Sequence, residues 1–109
     1  MVESKHLSLQ AVANQIEICR KCNLAKTRRN AVPGEGAEHA RIMIVGEAPG
    51  IREDTQGRPF VGKSGMMLNT LLSEASLPRA KLFITSIVKC RPPENRKPYR
   101  REMNACLPY

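Results

Sequence analysis

The sequence contains no Trp, and aromatic residues of all kinds make up only 4% of its 109 residues. Aliphatic side chains must therefore supply most of the packing. Long apolar runs are missing as well: none approaches the roughly 20 residues that span a bilayer, and no apolar signal-peptide core stands behind Met1–His6. A soluble, intracellular (cytoplasmic) protein with no membrane partner is expected. Acidic residues are scarce, 10 Asp and Glu against 18 Lys and Arg, for a net charge of +8. On so small a chain that balance favours a polyanion, because each phosphate contact releases condensed counterions; a basic, solvated surface is the plainer alternative. Internal repeats and low-complexity segments are absent. At 41% hydrophobic and 26% charged residues the chain is globular rather than disordered, and its length allows one domain, residues 1–109.

Leu9, Val12, Ala13 and Ile16 recur at helical spacing and predict a first helix ending near Cys19-Arg20-Lys21-Cys22. A basic stretch, Lys26 to Arg29, leads to the loop Pro33-Gly34-Glu35-Gly36. The run Ile42-Met43-Ile44-Val45 predicts a strand buried on both faces. A Gly- and Pro-dense loop reaches from Gly46 to Gly65. Ser64 is the expected N-cap of a second helix, with Leu68, Leu71, Leu72 and Ala75 as its apolar stripe and Pro78 beyond its end. Leu82 to Val88 predicts a second strand, and a basic tail leads to a last helical turn from near Pro98 that carries Cys106. Strand, helix, strand is a βαβ unit, so the two strands should be parallel. Two parallel strands leave open sheet edges, so an incomplete sheet, self-association or a missing C-terminal half is expected.

In a reducing compartment four cysteines suggest a metal site more than two disulfides. Cys19 and Cys22 offer two thiolates from one turn, and Cys90 and Cys106 complete a set of four. Such a set suits zinc or an iron–sulfur cluster, and spacing leaves the two open. Buried thiols with no ligand are the bland alternative.

Gly57-Arg58-Pro59-Phe60-Val61-Gly62-Lys63-Ser64 satisfies the phosphate-loop pattern G-x-x-x-x-G-K-S literally. That mechanism needs a strand leading straight into the first Gly, whereas polar Arg52 to Gln56 precede it. No acidic residue closes the second strand to organise magnesium, so nucleotide hydrolysis is not expected.

Gly46-Glu47-Ala48-Pro49-Gly50, then Glu53-Asp54, then Gly57 to Gly62, closely resembles the pocket motif of type-4 uracil-DNA glycosylases. Lys89-Cys90-Arg91-Pro92-Pro93, with Asn95-Arg96, resembles the same family, as does the placement of all four cysteines from Cys19 onward. The resemblance implies an α/β fold of three layers, α/β/α, around a parallel sheet, here stopping after the second strand. It further implies a 4Fe–4S cluster on Cys19, Cys22, Cys90 and Cys106, and hydrolytic removal of uracil from DNA in base excision repair. Glu47 and Gly50 would belong to the uracil pocket, Glu53 would position or activate the attacking water, and Phe60 would stack on the flipped base. Two departures stand out. The family has Asn where this chain has Ser86, and the family continues to a late His-containing loop, for which His6 and His39 are wrongly placed. A catalytically weak iron–sulfur module that binds DNA or a partner is the second function these residues allow.

Overall fold

The computed structural model describes residues 8–109. Helices α1 (Leu9–Glu17), α2 (Ile51–Gln56), α3 (Lys63–Glu74) and α4 (Arg100–Cys106) accompany strands β1 (Glu35–Gly36), β2 (Met43–Gly46) and β3 (Phe83–Ser86). The Ser8 hydroxyl caps α1 by accepting from the Ala11 N–H. That helix sends Val12 and Ile16 into a core with Leu24, Ala31, Val88 and Cys90, to which Met103 of α4 and Tyr109 add their side chains. A second core lies between α3 and the sheet, where Leu72 meets Leu82 and Ile84, with Ile44, Phe60, Leu68 and Leu77 around them.

β3 is the central strand of the sheet, in the order β1-β3-β2. β2 and β3 run parallel, with Ile44 opposite Ile84 and Gly46 opposite Ser86, as the βαβ reading predicts. The sheet is nevertheless mixed, because β1 adds to the other side of β3 in antiparallel sense. At two residues β1 is too short to show a period, so Pro33–Gly36 reads as plain loop in the sequence. The two faces of β2 also differ from expectation. Ile44 is partly covered, but Met43 is 58% and Val45 52% exposed, so this strand is buried on one face rather than two.

The helices carry two further corrections. Gly62, not Ser64, is the N-cap of α3, and its stripe is narrower than predicted: Leu72 is buried, Leu71 is 56% exposed, and Ala75 lies at the C-cap. The Gly/Pro-dense loop is interrupted by α2, which ends in left-handed Gly57. A helix, not a strand, therefore delivers the chain to Gly57, which agrees with rejection of the phosphate-loop pattern. No helix among the described residues is long and apolar enough to cross a membrane.

Candidate active site and cysteine cavity

Parallel strands end side by side, so the segments that follow them share one end of the sheet. Here Gly46 and Ser86 are paired, and their continuations stay tied: the Ile87 N–H donates to the Gly46 carbonyl and the Val88 N–H to that of Glu47. The segment after β2, helix α2, the turn before α3 and the segment after β3 enclose a cleft of about 560 Å³. Glu47, Gly50, Glu53, Phe60 and Ser86, all singled out from the sequence, line it together.

Glu53 is the best-anchored of the group. Its Oε1 accepts from the Gly50 N–H at 2.9 Å, and its Oε2 accepts from those of Val61 and Gly62 at 2.9 and 2.8 Å. Partial burial pushes its carboxyl up, but hydrogen bonds from its own backbone N–H and those of Gly62, Val61 and Gly50 outweigh that and hold it below the usual range. One carboxylate thus joins the cap of α2 to the cap of α3. Glu47 is exposed at the cleft.

Phe60 is partly buried and has a left-handed backbone, φ 50°. A Cβ on Gly65 would come within 1.9 Å of the Phe60 carbonyl oxygen, so only glycine lets α3 start this close beneath the turn. Ser86 is buried, and its hydroxyl donates to the Val88 carbonyl at 2.8 Å. The proton is committed to the backbone, which leaves Ser86 Oγ as an acceptor toward the cleft.

All four cysteines are free thiols and line one small cavity between α1, α4 and the segment after β3. Arg28 donates to Cys90 Sγ at 3.3 Å and to the Cys19 carbonyl at 2.7 Å. The Lys89 N–H donates to Cys106 Sγ at 3.3 Å. Burial pushes the Cys90 and Cys106 thiols up, with Arg28 and Lys89 pulling the other way. The neighbouring Cys19 thiol, with burial, pushes the Tyr109 hydroxyl up to about 12. Among the described residues no group of three His, Cys, Asp or Glu is drawn together as a single-ion site. Four sulfurs facing one cavity, with N–H and guanidinium donors on two of them, are a donor set that fits an anionic thiolate cluster.

His39 sits exposed in the turn before β2 and is not among the residues that line the cleft, and His6 lies outside the described residues. Several further residues shape the site, although the sequence motifs assign them no role. Asn95 lines the cleft, with its Oδ1 held by Arg91 Nε at 2.8 Å. Asp54, 1% exposed, accepts from the backbone of Arg29 and Asn30. Lys89 Nζ is buried and donates to Thr85 Oγ1 and the Ser86 carbonyl, fastening the end of β3 beneath the cleft. All three stand in the motifs, Asp54 beside Glu53 and Lys89 and Asn95 on either side of Cys90-Arg91-Pro92-Pro93, but nothing local marks what each one holds.

The model of the uracil DNA glycosylase superfamily matches residues 33–109. The chain is 54% identical over 103 residues to a type-4 uracil-DNA glycosylase of Pyrobaculum aerophilum, covering 94% of this chain and 53% of that protein. It is 52% identical to a type-4 uracil-DNA glycosylase of Saccharolobus solfataricus, over 94% of this chain and 48% of that protein. A type-5 uracil-DNA glycosylase of Thermus thermophilus is 43% identical over 69% of this chain. The chain belongs to the uracil DNA glycosylase superfamily. Within it the likeness runs to the type-4 glycosylases, and the chain spans about half the length of these type-4 relatives.

Proposed function

We propose that this chain is the uracil-reading and cluster-bearing part of a uracil-DNA glycosylase of base excision repair. The observation that carries the reading is the convergence of Glu47, Gly50, Glu53, Phe60 and Ser86 on one cleft at the shared end of two parallel strands. Chemistry on a base requires it to leave the stack, so a site needs an aromatic platform, hydrogen bonds to the base edge and attraction for the phosphates. Phe60 supplies the platform, Ser86 part of the edge reading, and the charge of +8 the attraction. Hydrolysis breaks the bond between C1′ and the uracil nitrogen. The sugar becomes cationic, the base leaves with the electron pair, and water adds at C1′. Glu47, exposed at the cleft, is the carboxylate suited to face the sugar cation or the water. Glu53 serves by holding the Gly50 and Val61–Gly62 segments around the base; with three cross-links to backbone on its oxygens, it suits positioning the water better than taking its proton.

Cys19, Cys22, Cys90 and Cys106 would hold a 4Fe–4S cluster, whose contribution is to staple α1, the end of β3 and α4 together. The three-layer α/β/α architecture belongs to this same reading. So does DNA, single- or double-stranded, as the partner.

Ser86 favours a second reading, a weak or inactive iron–sulfur module that still binds DNA. With its proton spent on Val88, Ser86 Oγ can accept from uracil N3–H but offers no donor to a carbonyl of the base. It can equally accept from the amino group of cytosine, so discrimination suffers. The test is uracil release from single-stranded DNA by anaerobically purified protein, with iron measured in the same sample. Ser86→Asn is expected to raise release and selectivity for uracil over cytosine. No gain from Asn in an iron-loaded protein would remove the role given to Ser86, and no release from either would leave the binding module.

A further inference from the structure

Phe60 can serve as a platform only if its turn is fixed, and its left-handed φ of 50° is a conformation that a non-glycine residue adopts at a cost. Glu53 holds the following Val61 and Gly62 N–H groups, on one side of the turn only. The other holding groups come from elsewhere. Arg79, in the 3₁₀ turn Arg79–Lys81 between α3 and β3, donates through Nη2 to the Pro59 carbonyl at 2.6 Å and through Nη1 to the Phe60 carbonyl at 3.2 Å. The same guanidinium is braced from two further sides. Nη1 also donates to Asn69 Oδ1 on α3 at 2.8 Å, and Nη2 approaches Glu35 Oε2 on β1 at 3.4 Å. Glu35 is in turn gripped by Arg58, the residue before Pro59, through a two-pronged pair at 2.9 Å.

Arg79 Nε is buried without a partner, so the side chain is placed for its terminal nitrogens at the expense of the inner one. The ring of Phe60 lies so close over Gly46 that a Cβ there would meet it at 2.8 Å. Its position over the end of β2 is therefore set by its backbone, and that backbone is held by Arg79.

We propose that Arg79 is a positioning residue that fixes the Phe60 ring at the cleft, with Glu35 and Asn69 bracing it. A fork is needed to span two successive carbonyls, so Lys cannot replace it fully. The role as it bears on the base rests on the reading of Phe60 as a stacking platform; the role as it bears on the ring does not.

The experiment has two arms that separate these. In the first, the full chain is labelled with ring-13C Phe, which yields two ring systems, Phe60 and Phe83. Arg79→Met should shift and broaden the Phe60 ring signals while leaving Phe83 close to its place, and Arg79→Lys should fall between. An unmoved Phe60 ring in either variant overturns the proposal. In the second arm, binding is measured to single-stranded DNA carrying uncleavable 2′-fluorodeoxyuridine and to the same strand with an abasic analogue. The ratio of the two affinities cancels any change in the folded fraction. Phe60→Ala should lower this ratio roughly tenfold, the scale of one stacked base. Arg79→Met should lower it by a similar factor and add nothing to Phe60→Ala. Additive losses would mean that Arg79 acts on its own and would overturn the proposal. A ratio indifferent to Phe60→Ala, with Phe60 signals that still move on Arg79→Met, would sink the platform reading and leave Arg79 as holder of the ring.

Discussion

Three carboxylates in this chain work as fasteners, and each of the three is held in its charged form. Glu35 lies below the usual carboxylate range because Arg58 hydrogen-bonds it, and Glu102 because Arg96 does. Glu53 lies below it because backbone N–H groups outweigh the effect of burial. Unfolding returns each to about 4.5. Between the folded and unfolded values the unfolded chain binds more protons, so stability rises with pH across that window. The contribution is complete above the unfolded value and is lost as pH falls through the folded ones. Calorimetric Tm should therefore fall as pH drops below about 4.5. Glu102→Gln, which removes one titrating group, should give a shallower fall, and an equally steep one would show that the pair with Arg96 contributes nothing. Basic residues divide in the same way. Arg28, Arg58, Arg79 and Arg96 are engaged with the cysteine cavity or with carboxylates, whereas Arg20, Lys26, Arg29, Lys97, Arg100 and Arg101 are exposed. The sequence offers two explanations for its positive charge, a phosphate surface and local pairing, and Arg28, Arg58, Arg79 and Arg96 take the second.

Elements that carry a period were legible, and those that depend on distant partners were not. Helix α1 and strands β2 and β3 follow from apolar spacing, the parallel pairing from the strand–helix–strand order, and α4 from the proline before its start. Helix α2 escaped because it has hardly any apolar face. Its sequence, IREDTQ, is held by ends rather than by a stripe: Glu53 caps its start and Asp54 ties its side to the basic loop. The cleft residues were legible as a motif, but the connection among them was not, since two of the three donors to Glu53 and the clamp on Phe60 come from residues 8 to 20 positions away. Asp54 gives the element-scale test. Asp54→Ala would leave the Arg29 and Asn30 N–H groups without their acceptor, at a cost of about 1–3 kcal/mol. Urea unfolding should show that loss, and proteolysis should cut first in the loop around Arg29. A variant within experimental error of the parent would mean that Glu53 and the Asn30 amide, which donates to the Asp54 and Thr55 carbonyls, hold α2 without the Asp54 carboxylate.

At the scale of the whole molecule, one side of the sheet is well covered and the other is not. α3 packs over Ile44 and Ile84, while Met43 and Val45 are exposed on the edge strand β2, whose outer side has no neighbouring strand among the described residues. Exposed apolar edges pair with other edges, so a second copy of this chain is the expected partner for the isolated protein. Sedimentation velocity should show a coefficient that rises with concentration, and Val45→Lys should abolish the rise. A compact monomer at every concentration would contradict this.

The register of that sheet also fixes when the cleft can exist. Ile44 pairs with Ile84, 40 positions later (84 − 44), so no local hairpin can nucleate the parallel pair. Loop closure must come before the contact that rewards it, which places folding among the slower topologies, roughly milliseconds to seconds. Glu47 follows one partner of that closure and Ser86 ends the other. On a ribosome, therefore, the cleft is assembled only after β3 has emerged, and α3 must wait for it as an amphipathic helix without its sheet.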